Sequence, residues 1–284
     1  MNILNILDEI EKVDGEIYER LNPRRSAMKD FFNMGKKISM AALPLAMGSM
    51  FQKAYGQATP SGVTDVLNFA LSLEYLEYHL YNHALVAAPG LAIPSGAPLA
   101  ALTTIRNHES AHVELLKGAL KTSARAEITY AMTDFTAGGT FPLVYNDYVT
   151  FLKVALGFED TGVRAYKGQA TALKGNAVLT TALQIHSVEA RHASHIRQML
   201  AANGATGLKP WVSLGAGDIS NDTGVSAVDA VYARENTDVQ AGITITGIAS
   251  GVTKKAAAES FDEALSKAEV VTIANLFLKT GFKL

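Results

Sequence analysis

The chain has 284 residues, a formal net charge of −2 and 48% hydrophobic residues, the profile of a globular protein of one or two domains with a sizeable core. Its near-neutral charge and lack of a basic run give nucleic acid no footing. The absence of cysteine excludes disulfides, thiolate metal sites and cysteine nucleophiles, and suits an oxidising compartment.

Residues 1–22 are acidic and amphipathic, with Leu4, Leu7, Ile10, Val13 and Ile17 at roughly helical spacing. Pro23-Arg24-Arg25-Ser26-Ala27-Met28-Lys29-Asp30-Phe31-Phe32 follows, then an apolar stretch from Ile38 to Phe51 and the small residues Gly56 and Ala58. This order resembles a twin-arginine export signal with cleavage after Ala58. Ala27, where a Phe is common, and the long acidic leader depart from that pattern. The apolar stretch is shorter than the roughly 20 residues of a membrane span, so no stable span is expected after processing. The alternative is an ordinary amphipathic pair of N-terminal helices. Residues 1–58 are read as leader and signal, which places the mature protein in the periplasm or otherwise outside the cytoplasm.

Residues 59–204 read as four helices, near 62–87, 97–122, 143–172 and 176–203. Thr64 and Asp65 offer cap chemistry for the first. Pro89-Gly90 and Pro94-Ser95-Gly96 separate the first from the second, and Gly175-Asn176 the third from the fourth. The link over about 123–142 is long and holds Gly138-Gly139 and Pro142. Short, long, short is what two hairpins joined by a crossover require.

Each helix carries one glutamate in the middle of an apolar stripe. On a 100° wheel Glu74 shares its face with Leu67, Ala70 and Tyr81, and Glu109 with Leu102, Ile105 and Leu116. Glu159 shares its face with Leu152, Val163 and Tyr166, and Glu189 with Ala182, Ile185 and Ile196. An unpaired carboxylate buried there would be costly, and a metal is the simplest compensation.

The spacing supports a metal. Glu109 and His112 form one Glu-x-x-His, and Glu189 and His192 form another, each preceded one helix upstream by a lone Glu, Glu74 or Glu159. Residues three apart are neighbours on a helix, so Glu and His can face one cation together. Random order with 15 Glu and 7 His would give about 0.4 such motifs. Two, in matched hairpins, exceed chance. Tyr81 lies seven residues after Glu74, as Tyr166 does after Glu159, so the hairpin reads as duplicated.

Residues 205–284 change character. Gly, Asn, Asp, Ser and Thr dominate to about 255, with the single tryptophan, Trp211, and a short strand expected over Val239 to Ile248. From Ala256 the pattern turns helical, with Phe261, Leu265, Val270, Ile273 and Leu276 as core candidates in one or two short helices packed on the bundle.

The order Glu … Glu-x-x-His … Glu … Glu-x-x-His is the ligand set of ferritin-like four-helix bundles, and the layout resembles that superfamily. More narrowly it resembles the exported bacterial ferritin-like domain family related to plant desiccation-related proteins. Leu67-Asn68-Phe69-Ala70-Leu71-Ser72-Leu73-Glu74-Tyr75-Leu76-Glu77, His108-Glu109-Ser110-Ala111-His112, Glu159, Glu189 with His192, and Phe261-Asp262-Glu263-Ala264-Leu265 carry this likeness. It implies an all-α fold, a ferritin-like four-helix bundle with a C-terminal irregular and helical extension. It also implies two metal ions, iron first and manganese second, with ferroxidase, peroxidase, catalase or oxygen-activating chemistry.

The expected site has Glu74 with His112 at one metal, Glu159 with His192 at the other, and Glu109 and Glu189 bridging. Tyr81 and Tyr166 face it as catalytic candidates that relay electrons or donate hydrogen bonds, or simply pack. Glu77 reads as an edge residue, with a ligand role as the alternative. His186 reads as an outer partner or a core histidine, His108 as a weaker candidate, and His79, His83 and His195 as surface residues. The leading function is an exported di-metal oxidoreductase acting on Fe(II), peroxide or oxygen. The alternatives are an iron-binding or storage protein and a non-catalytic, desiccation-related structural protein. The expected partners are metal ions and a small oxidant, with a homo-oligomer left open.

Overall fold

The computed structural model describes residues 61–218 and 220–284. The leader, the Arg24-Arg25 motif and the cleavage position after Ala58 lie outside the described residues. Four long helices dominate: α1 (Ser61–Val86), α2 (Ala97–Leu120), α3 (Tyr148–Gln169) and α4 (Val178–Ala202). α1 packs along α2 and α3 along α4, and α1 also meets α3, so two hairpins close into one bundle. The fold is all-α, with almost no strand. Among the described residues, no helix is long and apolar enough to cross a membrane.

Local chemistry sets the helix ends. α1 already runs from Ser61, so Thr64 and Asp65, expected as caps, lie inside it. Gly96 supplies a positive φ of 82° before α2, which then starts with a proline in its first turn, where the missing N–H costs nothing. α3 starts five residues later than its apolar pattern suggested. The Asp147 carboxylate accepts a hydrogen bond from the Thr150 N–H at 2.7 Å and defines the start there.

The crossover between the hairpins is not a free loop. Phe135, Phe141 and Val144 are buried, and Asp134 accepts from the N–H groups of Thr136 and Gly138 at 3.1 Å each. A bridge from Thr133 to Leu278 and the Asp134 N–H to Phe277 carbonyl bond tie it to the C-terminal segment.

That segment covers the outer side of α3. Within it are a two-residue hairpin (β1, Val239–Gln240, paired antiparallel with β2, Ile243–Thr244) and two short helices, α5 (Lys254–Glu259) and α6 (Lys267–Ala274). The expected strand over Val239 to Ile248 is therefore this smaller hairpin. α6 packs on α3, with Leu265, Val270 and Ile273 in the core. Phe261 and Leu276 are exposed instead, and Phe277 and Leu278 are buried in their stead.

α3 is consequently buried on nearly all sides from Phe151 to Tyr166. Two charged residues on its outer side reach into the extension. Arg164 donates from Nε to the Glu263 carbonyl at 2.6 Å and from its two terminal nitrogens to the carbonyls of Val231 and Ala233, with Glu235 Oε1 3.0 Å from Nε. Asp160 accepts from Arg197 Nη2 at 2.6 Å and from the Tyr232 hydroxyl at 2.7 Å, and Arg197 Nε also donates to Asp222 at 2.7 Å. Buried charges require such saturation by partners. Gly168 admits the closest approach: a Cβ there would sit 2.0 Å from the Leu265 carbonyl oxygen.

Candidate metal centre

The apolar stripes of the four helices meet in the bundle core and carry their glutamates with them. Glu74, Glu109, Glu159 and Glu189 are each 0% exposed, and His112 and His192 are buried beside them. Ligand atoms of Glu74, Glu109, His112 and Glu189 lie within 4.8 Å of one another, and so do those of Glu109, Glu159, Glu189 and His192. All six sequence-derived candidates are thus together, in two half-sites that share Glu109 and Glu189.

The contacts repeat across the two halves. His112 Nδ1 lies 3.1 Å from Glu74 Oε2, 3.0 Å from Glu109 Oε2 and 3.1 Å from Glu189 Oε1. His192 Nδ1 lies 3.2 Å from Glu159 Oε2, 2.9 Å from Glu109 Oε1 and 3.4 Å from Glu189 Oε2. Each shared glutamate turns one oxygen to each half.

One imidazole nitrogen carries at most one proton, so it cannot satisfy three carboxylates. Glu109 Oε1 and both Glu189 oxygens, though close, lie off any N–H direction and accept no hydrogen bond. Buried, charged and unpaired oxygens are expensive. A cation within each half resolves them, so the residues present fit a metal pair.

The electrostatics agree. Burial pushes the Glu74 carboxyl up to about 8, opposed by His112 and assisted by Glu189 and Glu109. Burial likewise drives Glu159 well above the ordinary range, against the pull of His192. Burial also pushes Glu189 up, but the two flanking imidazoles outweigh it and hold this carboxyl low. For His112 and His192 burial favours the neutral ring, yet the carboxylates prevail. They raise His112 well above its usual value and His192 to about 12. Without metal the imidazolium protons stand in for the missing cations.

The two tyrosines complete the symmetry. Tyr81, on α1, donates to Glu159 Oε1 on α3 at 2.5 Å, and Tyr166, on α3, donates to Glu74 Oε1 on α1. Each hairpin's tyrosine therefore holds the outer oxygen of the other hairpin's lone glutamate. Burial raises both phenols well above their ordinary range, so they are donors rather than phenolates.

Residues 62–202 match a family described as a ferritin-like domain. These residues form a ferritin-like domain. No curated protein and no solved structure matches the chain.

Other candidates in the ferritin-like domain fall differently from their helical angles. Glu77 is 2% exposed, a fifth buried carboxylate rather than an edge residue, and burial raises its carboxyl well above the usual range. The duplicated hairpin explains how it is housed. Gly162 stands three residues after Glu159 as Glu77 stands three after Glu74. A Cβ at Gly162 would lie 3.0 Å from Glu77 Oε1 and 3.5 Å from Glu189 Cγ. The second hairpin leaves vacant the space the first one fills, a signal present in the repeat itself.

His79 is buried against the crossover, 3.7 Å from Glu127, rather than at the surface. His83 is half-buried and stacks on Tyr130 with ring centroids 4.2 Å apart. His195 is exposed. His186 turns Nδ1 to the Val163 carbonyl at 2.8 Å and stands outside the cluster. His108, the weaker candidate by angle, meets His192 directly. The wheel missed it because a long side chain on α2 can reach across to α4.

Proposed function

We propose that the chain is an exported di-metal carboxylate oxidoreductase acting on Fe(II), peroxide or oxygen, with iron ahead of manganese as its metal. The observation that carries this reading is the convergence of three carboxylate oxygens on each of two buried imidazole nitrogens. Carboxylate and imidazole donors suit iron and manganese alike. Two such ions supply redox chemistry toward a small oxidant and Lewis acidity at its oxygens.

In this reading Glu74 and His112 would hold one ion and Glu159 and His192 the other, with Glu109 and Glu189 offering an oxygen to each half. Tyr81 and Tyr166 keep the two terminal carboxylates aimed inward through their outer oxygens. The apolar stripes exclude bulk water and strengthen every charge interaction inside. To serve as ligands the two imidazoles and Glu74 would have to release protons, so metal affinity should rise with pH. The narrower likeness to exported, desiccation-related proteins and the Arg24-Arg25 signal support export in a folded, metal-bearing state. Changing both arginines to Lys should then retain the precursor inside the cell.

The test is peroxide consumption by stopped flow. Fe(II)-loaded protein should consume peroxide faster than free Fe(II) in the same buffer, and Glu109→Ala should lose the advantage. Equal rates for wild type, Glu109→Ala and buffer would leave storage or a structural role as the better account. Particle size with metal content separates these two, since a monomer or dimer holding two ions is no storage cage.

A further inference from the structure

His192 and His112 occupy matching places in the duplicated hairpin, but their outer nitrogens do not have matching neighbours. His108 Nδ1 lies 2.9 Å from His192 Nε2. The two rings are within 14° of parallel with centroids 5.2 Å apart. That spacing is close to the N···N distance plus one ring radius at either end, so the bond runs near the plane of both rings. The repeat places Val188 before Glu189 where His108 precedes Glu109. A valine side chain has no acceptor, so the His112 half has no equivalent partner from that position.

His192 turns Nδ1 to the carboxylates, so a cation there takes Nδ1 and the ring's proton sits on Nε2. His108 Nδ1 is then the acceptor. A ligand imidazole whose other nitrogen is engaged is fixed in tautomer and in ring angle and is a better donor to the metal. We propose that His108 is a positioning residue for His192, and that it makes the two metal positions unequal, with the Glu159/His192 position the tighter. This rests on the di-metal reading above.

The experiment is calorimetric titration of metal-free full-length protein with Co(II), followed in parallel by visible absorbance of the bound ion. Wild type should show two unequal affinities. His108→Phe keeps a ring but removes the acceptor, and should weaken the tighter constant by roughly 10–100-fold. His108→Asn places an oxygen near the lost nitrogen and should restore most of it, which a packing role would not do. Two backgrounds locate the effect. With His112→Ala only the His192 half remains, and His108→Phe should weaken it by the same factor. With His192→Ala only the His112 half remains, and His108→Phe should leave it unchanged. His108 is exposed, so these changes disturb little of the core.

Wild-type affinities retained in His108→Phe would overturn the proposal. So would an equal loss in both backgrounds, or a His108→Asn variant no better than His108→Phe. A wild-type chain that takes up no Co(II) would instead remove the metal reading on which the proposal stands, so the two failures are distinguishable.

Discussion

Stripping the metal and raising the pH should destabilise the fold, and the structure gives the sign and scale. Burial raises Glu74 from its ordinary 4.5 to about 8, so between those values the folded chain holds a proton that the unfolded chain has released. Stability falls with pH wherever the native state binds more protons, by about 1.4 kcal/mol per pH unit for each excess proton. Glu74 alone would therefore remove about 2 kcal/mol between pH 6 and pH 8, because its folded-state proton is half lost at the upper end. His112 and His192 act in the same direction. Their folded values are raised, so their contribution is complete below the unfolded value of 6.5 and is lost as pH climbs toward the folded value, about 12 for His192. For a domain of this size about 2 kcal/mol corresponds to roughly 4–8 °C in Tm. The assay is differential scanning calorimetry of EDTA-treated protein at pH 6, 7 and 8, against protein loaded with Mn(II). The loaded form has already lost these protons, so its Tm should vary less and lie higher, the gap widening with pH. A metal-free Tm that is flat or rises from pH 6 to pH 8 would refute the reasoning about the cluster.

Gly162→Ala should destabilise by about 1 kcal/mol, because the new methyl meets Glu77 Oε1 at 3.0 Å in a closed space. In a Glu77→Ala background the same change should stabilise by about 1 kcal/mol through helix propensity, and urea midpoints will show whether the sign reverses. Tyr166→Phe leaves Glu74 Oε1 without its buried donor; it should cost about 1–3 kcal/mol and weaken metal at the Glu74/His112 half, read by calorimetry. Arg164→Leu leaves three backbone carbonyls unpartnered and Glu235 with only the Glu263 N–H in place of its cation. It should cost roughly 3–5 kcal/mol and expose residues 205–284 to protease before the bundle, as limited proteolysis with mass spectrometry would reveal.

The four-helix framework and the inward placement of its four glutamates and two histidines were legible because two strong local signals coincide. An apolar stripe has a fixed period, and Glu-x-x-His has a fixed spacing within it. Neither needs knowledge of distant residues. The crossover and the C-terminal extension were less legible for the complementary reason. The burial of Arg164 and Asp160 depends on residues 37 to 99 positions away, and no periodicity on α3 announces that its outer side is covered. Phe261 and Leu276 were misplaced because they lie just beyond the ends of short helices of six and eight residues, where the helical phase no longer holds. Glu77 was misread because a stripe width of about 40° was too narrow for a helix buried on most of its circumference. Its counterpart Gly162 shows that comparing the two halves of the repeat position by position carries more information than either wheel alone.

A pair of metal ions is expected on Glu74, Glu109, His112, Glu159, Glu189 and His192. Elemental analysis of the full chain purified from its native compartment, and after reloading of stripped protein with Fe(II) or Mn(II), tests it most directly. Two equivalents per chain are expected for wild type and for His79→Ala. One is expected for His112→Ala and for His192→Ala, and no paired binding for Glu189→Ala, which removes a ligand from both halves. A wild-type chain that retains less than one equivalent under both treatments, or a His79→Ala variant that loses metal as readily as His112→Ala, would contradict the account.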